Sequence, residues 1–393
     1  MNKKRWGEEV YPLLSWFKID KVKNAKVMVV GGGALGNEVI KNLALFGIGT
    51  IVVVDFDTIE YSNLTRSILY RESDADKGKF KAEVLAEKVK EINPEINVIP
   101  IVGNLRTDVG LGIYRQMDVV IGCLDSRFAR YYLNRLCFRA NVPWIDGGIE
   151  NMGGTVQVYK PNINCHECGL PKNSLTEIED HFSCATVSAY QQKAGRIATT
   201  PILASIIGAI EVQEAMKIIH EEPDTKVPFI SLCGKIFHYE GMYNTSDIIK
   251  YQNYFEDCLA HEYWNDILEI KELSCHNTIK ETLTILKEKL QCKSIEINLL
   301  NNYFVENITS RVSNKKFTVM LPDSKLDNYI EENKEMKLLQ IAEGLLKNWH
   351  RNINKEFPYK NLTLKEIGIP KLDVLKISTN KGCFYVELSG DRL

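Results

Sequence analysis

No stretch of this 393-residue chain is both apolar and uncharged for long enough to span a membrane. The most apolar long run, residues 200–219, carries Glu211, Gln213, Glu214 and Lys217, so it reads as a buried or amphipathic helix. The opening MNKKRWGEEVYPLL lacks an apolar h-region, and no signal peptide is expected from it. Charge of one sign is missing too. Lys and Arg number 49 against 51 Asp and Glu, a formal net charge of −2, which gives no reason to expect nucleic acid as a partner. Internal repeats and low-complexity linkers are absent. Cysteine, by contrast, is plentiful. Ten of them without an export signal point to the cytoplasm, where they serve as thiols, metal ligands or nucleophiles rather than as a disulfide framework. A composition 45% hydrophobic and 25% charged is that of a globular protein, and the length calls for two or three domains.

The most informative stretch is residues 27–66, VMVVGGGALGNEVIKNLALFGIGTIVVVDFDTIEYSNLTR. Val27 to Val30 form an apolar run suited to a parallel strand buried on both faces. Gly31, Gly33 and Gly36 follow with G-x-G-x-x-G spacing, where glycines permit a tight turn and let backbone amides approach a phosphate at a helix N-terminus. A second apolar run ends at Asp55, placed to bind ribose hydroxyls. Alone, this is a dinucleotide or ATP motif and most often belongs to a nicotinamide dehydrogenase. The continuation, Asp57-Thr58-Ile59-Glu60-Tyr61-Ser62-Asn63-Leu64-Thr65-Arg66, disfavours that: a dehydrogenase has no use for Asn63 and Arg66 here, whereas an enzyme that cuts a triphosphate does.

With the glycine turn, this segment resembles the adenylation domain of ubiquitin-activating enzymes and of the sulfur-carrier adenylyltransferases of molybdopterin and thiamine synthesis. Their usual form is D-x-D-x-[IV]-x-x-S-N-L-x-R-Q, and Ser67 stands here in place of the Gln. The resemblance covers residues 20–245 and implies ATP and Mg2+ as cofactors. It assigns phosphate contacts to Arg66 and to Lys81 of Gly78-Lys79-Phe80-Lys81, with Lys79 as the fallback. Asn63 would support the triphosphate, and Asp57 is a weaker candidate. Asp125, at the carboxyl end of a predicted strand, would meet magnesium or else cap the following helix. Arg5 lies where relatives carry an Arg that reaches the partner subunit's ATP, or is a solvated surface residue.

The cysteines follow. Cys165-His166-Glu167-Cys168 is a C-x-x-C placed where many relatives hold half of a structural zinc site, and Cys258-Leu259-Ala260-His261 offers the other half. Three thiolates and one imidazole satisfy tetrahedral Zn2+; His166 and Cys233 are alternative ligands, and buried thiols with an exposed His are the plainer reading. Cys184, in Phe182-Ser183-Cys184-Ala185-Thr186-Val187 upstream of Ile197-Ala198-Thr199-Thr200, resembles the catalytic cysteine of ubiquitin-activating enzymes, which takes the acyl group as a thioester. His181 would assist it or be a loop residue. Cys123 and Cys137 read as core.

Along the chain, helices are expected at 34–46, 77–92, 126–140 and 200–220, with strands at 97–102, 118–123, 142–146, 155–159 and 229–239. The expected fold is a doubly wound, Rossmann-like α/β adenylation domain over residues 1–245, carrying the catalytic-cysteine loop at about 161–195, and a smaller α+β domain over 246–393. In the latter, helices are expected at 278–290 and 336–349, strands at 294–299 and 316–321, and a closing hairpin from 374. The resulting expectation is an activating enzyme for a ubiquitin-like protein with a C-terminal glycine. It would act as a homodimer and pass the acyl group to a conjugating enzyme recruited by the C-terminal domain. The alternatives are a sulfur-carrier adenylyltransferase without a thioester step and a catalytically idle binding subunit, which the complete Gly-Asp-Arg-Lys-Asp set disfavours.

Overall fold

A computed structural model describes residues 6–7, 9–170, 199–221, 229–251, 254–300 and 302–393. Arg5, His181 and Cys184 lie outside the described residues. Contacts divide the chain into two units, one of residues 1–106 and 114–263, the other of residues 107–113 and 264–393. The larger unit thus runs on past 245, because Cys258, His261 and Tyr263 pack with Phe138 and Cys165.

The larger unit is built on an eight-stranded sheet. Its strands are β1 (Lys26–Val30), β2 (Thr50–Val54), β3 (Asn97–Ile101), β4 (Val119–Gly122), β5 (Trp144–Glu150), β6 (Gly153–Tyr159), β7 (Lys235–Glu240) and β8 (Thr245–Lys250), in the order β3-β2-β1-β4-β5-β6-β7-β8. The first five pair parallel and the last three antiparallel. This is the expected doubly wound arrangement, with the order reversing between β1 and β4. A ligand crevice opens at such a switch point, outside the carboxyl ends of the strands.

The helices described within residues 9–221 are α1 (Ile19–Asn24), α2 (Ala34–Phe46), α3 (Glu72–Asp76), α4 (Lys81–Ile92), α5 (Leu111–Arg115), α6 (Arg127–Ala140) and α7 (Pro201–His220). Val27 and Val29 join a core with residues of α2, α4 and α7, while the alternating Met28 is fully buried without belonging to it. α6 packs on β4 and β5 and contributes nothing to that core, so the sheet is covered on both faces. No described helix is long and apolar enough to cross a membrane.

Three local expectations need correction. The helix expected over 77–92 begins only at Lys81, because Gly78 takes φ +56° after the short α3. Residues 229–234 are not strand; Gly234 at φ +72° delays β7 to Lys235. Nor is 336–349 one helix, as described next.

The smaller unit holds β9 (Leu268–Glu269), α8 (Ile279–Leu290), β10 (Ile295–Asn298), β11 (Phe304–Ser310), β12 (Lys316–Pro322), α9 (Asp323–Glu332), α10 (Lys334–Ala342), β13 (Leu345–His350), β14 (Asn352–Ile353), β15 (Val374–Thr379) and β16 (Gly382–Glu387). Two sheets, β14-β10-β15-β16-β9 and β12-β11-β13, each carry a core. α10 stops at Ala342, Gly344 turns left-handed at φ +71°, and Leu345–His350 pairs with β11. The Leu338, Leu339, Ile341, Leu345 and Leu346 spacing that looks helical is therefore shared between a helix and a strand.

Candidate functional site

Gly31 follows β1 directly and takes φ +100°; a Cβ there would lie 2.3 Å from the Cys123 carbonyl oxygen. A Cβ on Gly36 would come within 1.9 Å of the Gly31 oxygen, so helix and turn meet only because both are glycine. Gly33 faces open space, and as N-cap of α2 it supplies no side chain to the first amides of the helix. Those amides and the helix dipole are thus left for an anion.

Three side chains set the turn. Asn37 donates to the Gly32 and Gly33 carbonyls at 2.9 Å each and accepts from the Leu69 amide at 3.0 Å. Tyr70 donates its hydroxyl to Gly32 O at 2.5 Å. Asp55 accepts from the Gly32 amide at 2.6 Å on one oxygen and from the Asp57 amide at 2.7 Å on the other. Burial raises the Asp55 pKa, against the opposing pull of Lys81 and the two amides. Each oxygen keeps a further lone pair, enough to accept a hydroxyl.

The two lysines have separate partners. Lys81, buried at the first turn of α4, places Nζ 2.7 Å from Asp57, and its amide donates to Asp57 O at 2.9 Å. Lys79 pairs instead with Asp74 at 3.1 Å and Glu87 at 3.4 Å. Asn63 is buried and accepts from the Glu60 amide at 2.9 Å, closing a capping box on the short turn at Tyr61–Asn63. Arg66 is half-buried, with Nη1 donating to the Ser62 carbonyl at 2.7 Å.

Asp125 follows β4 across the switch point and is exposed. Ser126, not Asp125, caps α6: its Oγ accepts from the Ala129 amide at 3.4 Å. The Asp125 carboxylate accepts no hydrogen bond among the described residues, which suits it to an incoming cation. One turn on, Arg130 bonds Asp146 at 2.7 Å and the carbonyls of Leu124 and Gly147 at 2.7 and 3.0 Å. This brace was not read from the sequence, nor were Asn37 and Tyr70. The signal available for it was an Arg one helical turn after Asp125 and an acid at the end of the next strand. Behind Gly147, the carboxyl of Glu211 is fully buried with no hydrogen-bond partner among the described residues, and burial raises its pKa well above the ordinary range.

The second cluster is sulfur-rich. Ligand atoms of Cys165, Cys168, Cys258 and His261 all lie within 4.8 Å of one another. Asn134 Nδ2 donates to Cys165 Sγ and the Phe255 amide to Cys168 Sγ, both at 3.3 Å; N–H donors aimed at sulfur favour the thiolate a metal requires. Hydrogen bonds from Cys165 and Cys168 pull the Cys258 pKa down to about 6, while the same bond and burial push Cys165 up. The His261 ring is stacked between Tyr254 and Phe138, at centroid distances of 4.2 and 4.9 Å, with Nε2 3.5 Å from Cys168 Sγ. The donor set and its N–H donors fit a tetrahedral ion. Neither alternative ligand joins: His166 faces the Tyr159 hydroxyl at 3.2 Å, and Cys233 bonds Asn164 at 3.3 Å.

Two structures of E. coli MccB, one with succinimide and one with AMPCPP and SeMet MccA, match this chain with TM-scores of 0.50 at 26% identity, covering 66% of it and 75% of theirs. The SAMP-activating enzyme E1 of Haloferax volcanii is 30% identical over 232 residues, 59% of this chain and 78% of its own. Molybdopterin-synthase adenylyltransferase of Salmonella typhimurium is 32% identical over 230 residues, 57% of this chain and 82% of its own. SUMO-activating enzyme subunit 2 of Dictyostelium discoideum is 37% identical over 151 residues, and the chain spans only 22% of that larger relative. The ThiF family model matches residues 6–260, and the chain belongs to the ThiF family.

Proposed function

We propose that this chain is an ATP-dependent adenylyltransferase that activates the C-terminal glycine of a ubiquitin-like protein and carries the acyl group onward as a thioester on Cys184. One observation supports it above the rest: at the switch point an uncapped glycine turn locked to Asp55, a Lys81–Asp57 pair and an exposed Asp125 all follow the carboxyl ends of β1, β2 and β4. The names of the relatives support the activation step: two are activating enzymes or a subunit of one, and one is an adenylyltransferase.

In this reading Asp55 binds the ribose and the turn around Gly31, Gly33 and Gly36 receives the phosphates. The carrier's carboxylate attacks the α-phosphorus and pyrophosphate leaves. Both reactants are anions, so the site must neutralise them together. Lys81 supplies a nearly water-free ammonium for this, and Arg66 becomes available by leaving the Ser62 carbonyl. Asn63 holds the segment that carries Arg66. Asp57 shares Lys81 with the substrate. Asp125 would hold magnesium, which when bound offsets phosphate charge. The Cys184 thiolate then attacks the acyl carbon and AMP leaves. A homodimer would let Arg5 of one protomer reach the other's nucleotide, and the smaller unit would recruit the conjugating enzyme. Cys165, Cys168, Cys258 and His261 would hold Zn2+ and tie the 165–168 turn to the 258–261 turn.

The test mixes full-length protein with ATP, magnesium and a carrier ending in glycine. A reductant-sensitive band heavier by one carrier is expected, lost in Cys184→Ala while ATP–pyrophosphate exchange continues. Exchange without any thioester in the wild type would refute the second step and leave a sulfur-carrier adenylyltransferase, a reading the Salmonella relative's name favours.

A further inference from the structure

Away from the nucleotide site and the Cys165 cluster, a second set of mixed donors converges within the smaller unit. Cys275 Sγ, a ring nitrogen of His276 and a carboxylate oxygen of Asp391 all lie within 4.8 Å of one another. Two backbone amides fix the Asp391 carboxylate. Its Oδ2 accepts from Cys275 N at 2.9 Å and from Leu372 N at 3.1 Å, which leaves Oδ1 facing Sγ at 3.6 Å. The turn bearing Cys275 and His276 is equally fixed: Asn277 Oδ1 accepts from Ser274 N at 2.7 Å, and the Cys275 carbonyl accepts from Lys365 N at 2.8 Å. Cys275 is only 2% exposed, so its sulfur forms the inner wall. His276 is exposed, and its ring makes no hydrogen bond among the described residues, so it is free to swing over the other two.

We propose that Cys275, His276 and Asp391 form a binding site for one divalent ion of the zinc class, with a fourth position open to water. The donor set selects the ion. One sulfur, one imidazole nitrogen and one carboxylate oxygen suit a borderline cation, whereas Mg2+ and Ca2+ take all-oxygen shells. With metal–ligand bonds of about 2.0–2.3 Å, tetrahedral ligand atoms stand roughly 3.3–3.8 Å apart. The present arrangement, with ligand atoms no more than 4.8 Å apart, therefore has to close by about 1.5 Å at most, within reach of an exposed imidazole. On binding, the Cys275 S–H bond breaks, the sulfur keeps the electron pair for the metal, and the proton goes to solvent. The ion would staple the 274–277 turn to the segment at Asp391, which already touch through Gly390 N and Leu273 O at 2.7 Å. This site is independent of the adenylation reading.

The experiment uses the full-length chain, stripped by chelation, reloaded with zinc alone and washed. The readouts are metal content by elemental analysis and the melting shift that zinc produces. His276→Ala alters an exposed side chain and keeps the fold, so it is the decisive variant. It is expected to hold about one zinc per chain fewer than wild type and to lose part of the melting shift. Cobalt in place of zinc should give a sulfur charge-transfer band that loses one component in Cys275→Ser, while Cys165→Ser removes a different one. Equal zinc content and equal melting shifts in wild type and His276→Ala would overturn the proposal, and so would a wild type that retains no zinc. Asp391 would then be only a cap for the two amides.

Discussion

Two lysines one residue apart, in Lys79-Phe80-Lys81, offer a double dissociation. Lys81 is buried and pairs with Asp57, whose side chain is 51% exposed. Lys81→Met keeps the buried stem and leaves Asp57 to be solvated by water. The lost pair is then worth no more than about 1 kcal/mol of stability. If Lys81 meets the phosphates, however, its charge is needed in the transition state, and removing such a group lowers the rate about 10²–10³-fold. Lys79→Ala should do the reverse. Its partner Asp74 is 7% exposed, and although Arg71 N still donates to one oxygen at 3.0 Å, the other loses its ammonium. Leaving a buried acceptor short of a donor lowers stability. ATP–pyrophosphate exchange dependent on the carrier protein, measured beside urea unfolding, should show Lys81→Met stable and inactive and Lys79→Ala active and destabilised. The opposite pattern, exchange surviving in Lys81→Met and lost in Lys79→Ala, would refute the assignment.

Further outcomes follow from the same geometry. Asp125→Ala and Arg66→Ala should each lose about 10²–10³ in exchange rate with an unchanged melting curve; wild-type-like exchange in either variant removes that residue from the mechanism. Cys258→Ser should release about one zinc per chain and lower the melting temperature, and a wild type whose Cys165 cluster never takes up metal would end that assignment. Glu211 predicts a pH effect. Its folded pKa is raised by burial, so the folded state binds the proton more tightly than the unfolded chain. Its contribution therefore becomes less favourable as pH rises above the unfolded value of about 4.3, by about 1.4 kcal/mol per pH unit up to the folded pKa. Glu211→Gln should then gain on wild type steadily between about pH 5 and pH 7 in chemical denaturation, and a difference that does not change with pH would contradict a neutral buried acid.

What could be read in the sequence was set by how local each feature's cause is. β1, the glycine turn, α2, β2 and Asp55 are contiguous, and their conformations follow from apolar runs and from glycines that alone tolerate the approach of Gly36 to Gly31. Spacing likewise brings Cys165 near Cys168 and Cys258 near His261, but the meeting of the two pairs across 93 residues depends on α6, where Asn134 and Arg135 hold the first turn through Cys165 and Glu167. The G-x-x-K spacing put Lys81 ahead of Lys79, but that each lysine has its own acid, Asp57 for one and Asp74 for the other, was not legible there. β11 escaped notice because a bulge between Val305 and Asn307 breaks the period-2 alternation on which strand reading relies. Glu211 was undecided for another reason. Its charge left the 200–219 helix readable as either buried or amphipathic, and the side chain is fully buried against Gly147, where any Cβ would come within 2.5 Å of the carboxyl. The sequence period assigns a residue to a face, but whether that face is wet depends on what packs against it. Here Ser126 shows how fine the margin is: because it caps α6, Asp125, one residue earlier, stays exposed after β4 with no hydrogen bond among the described residues.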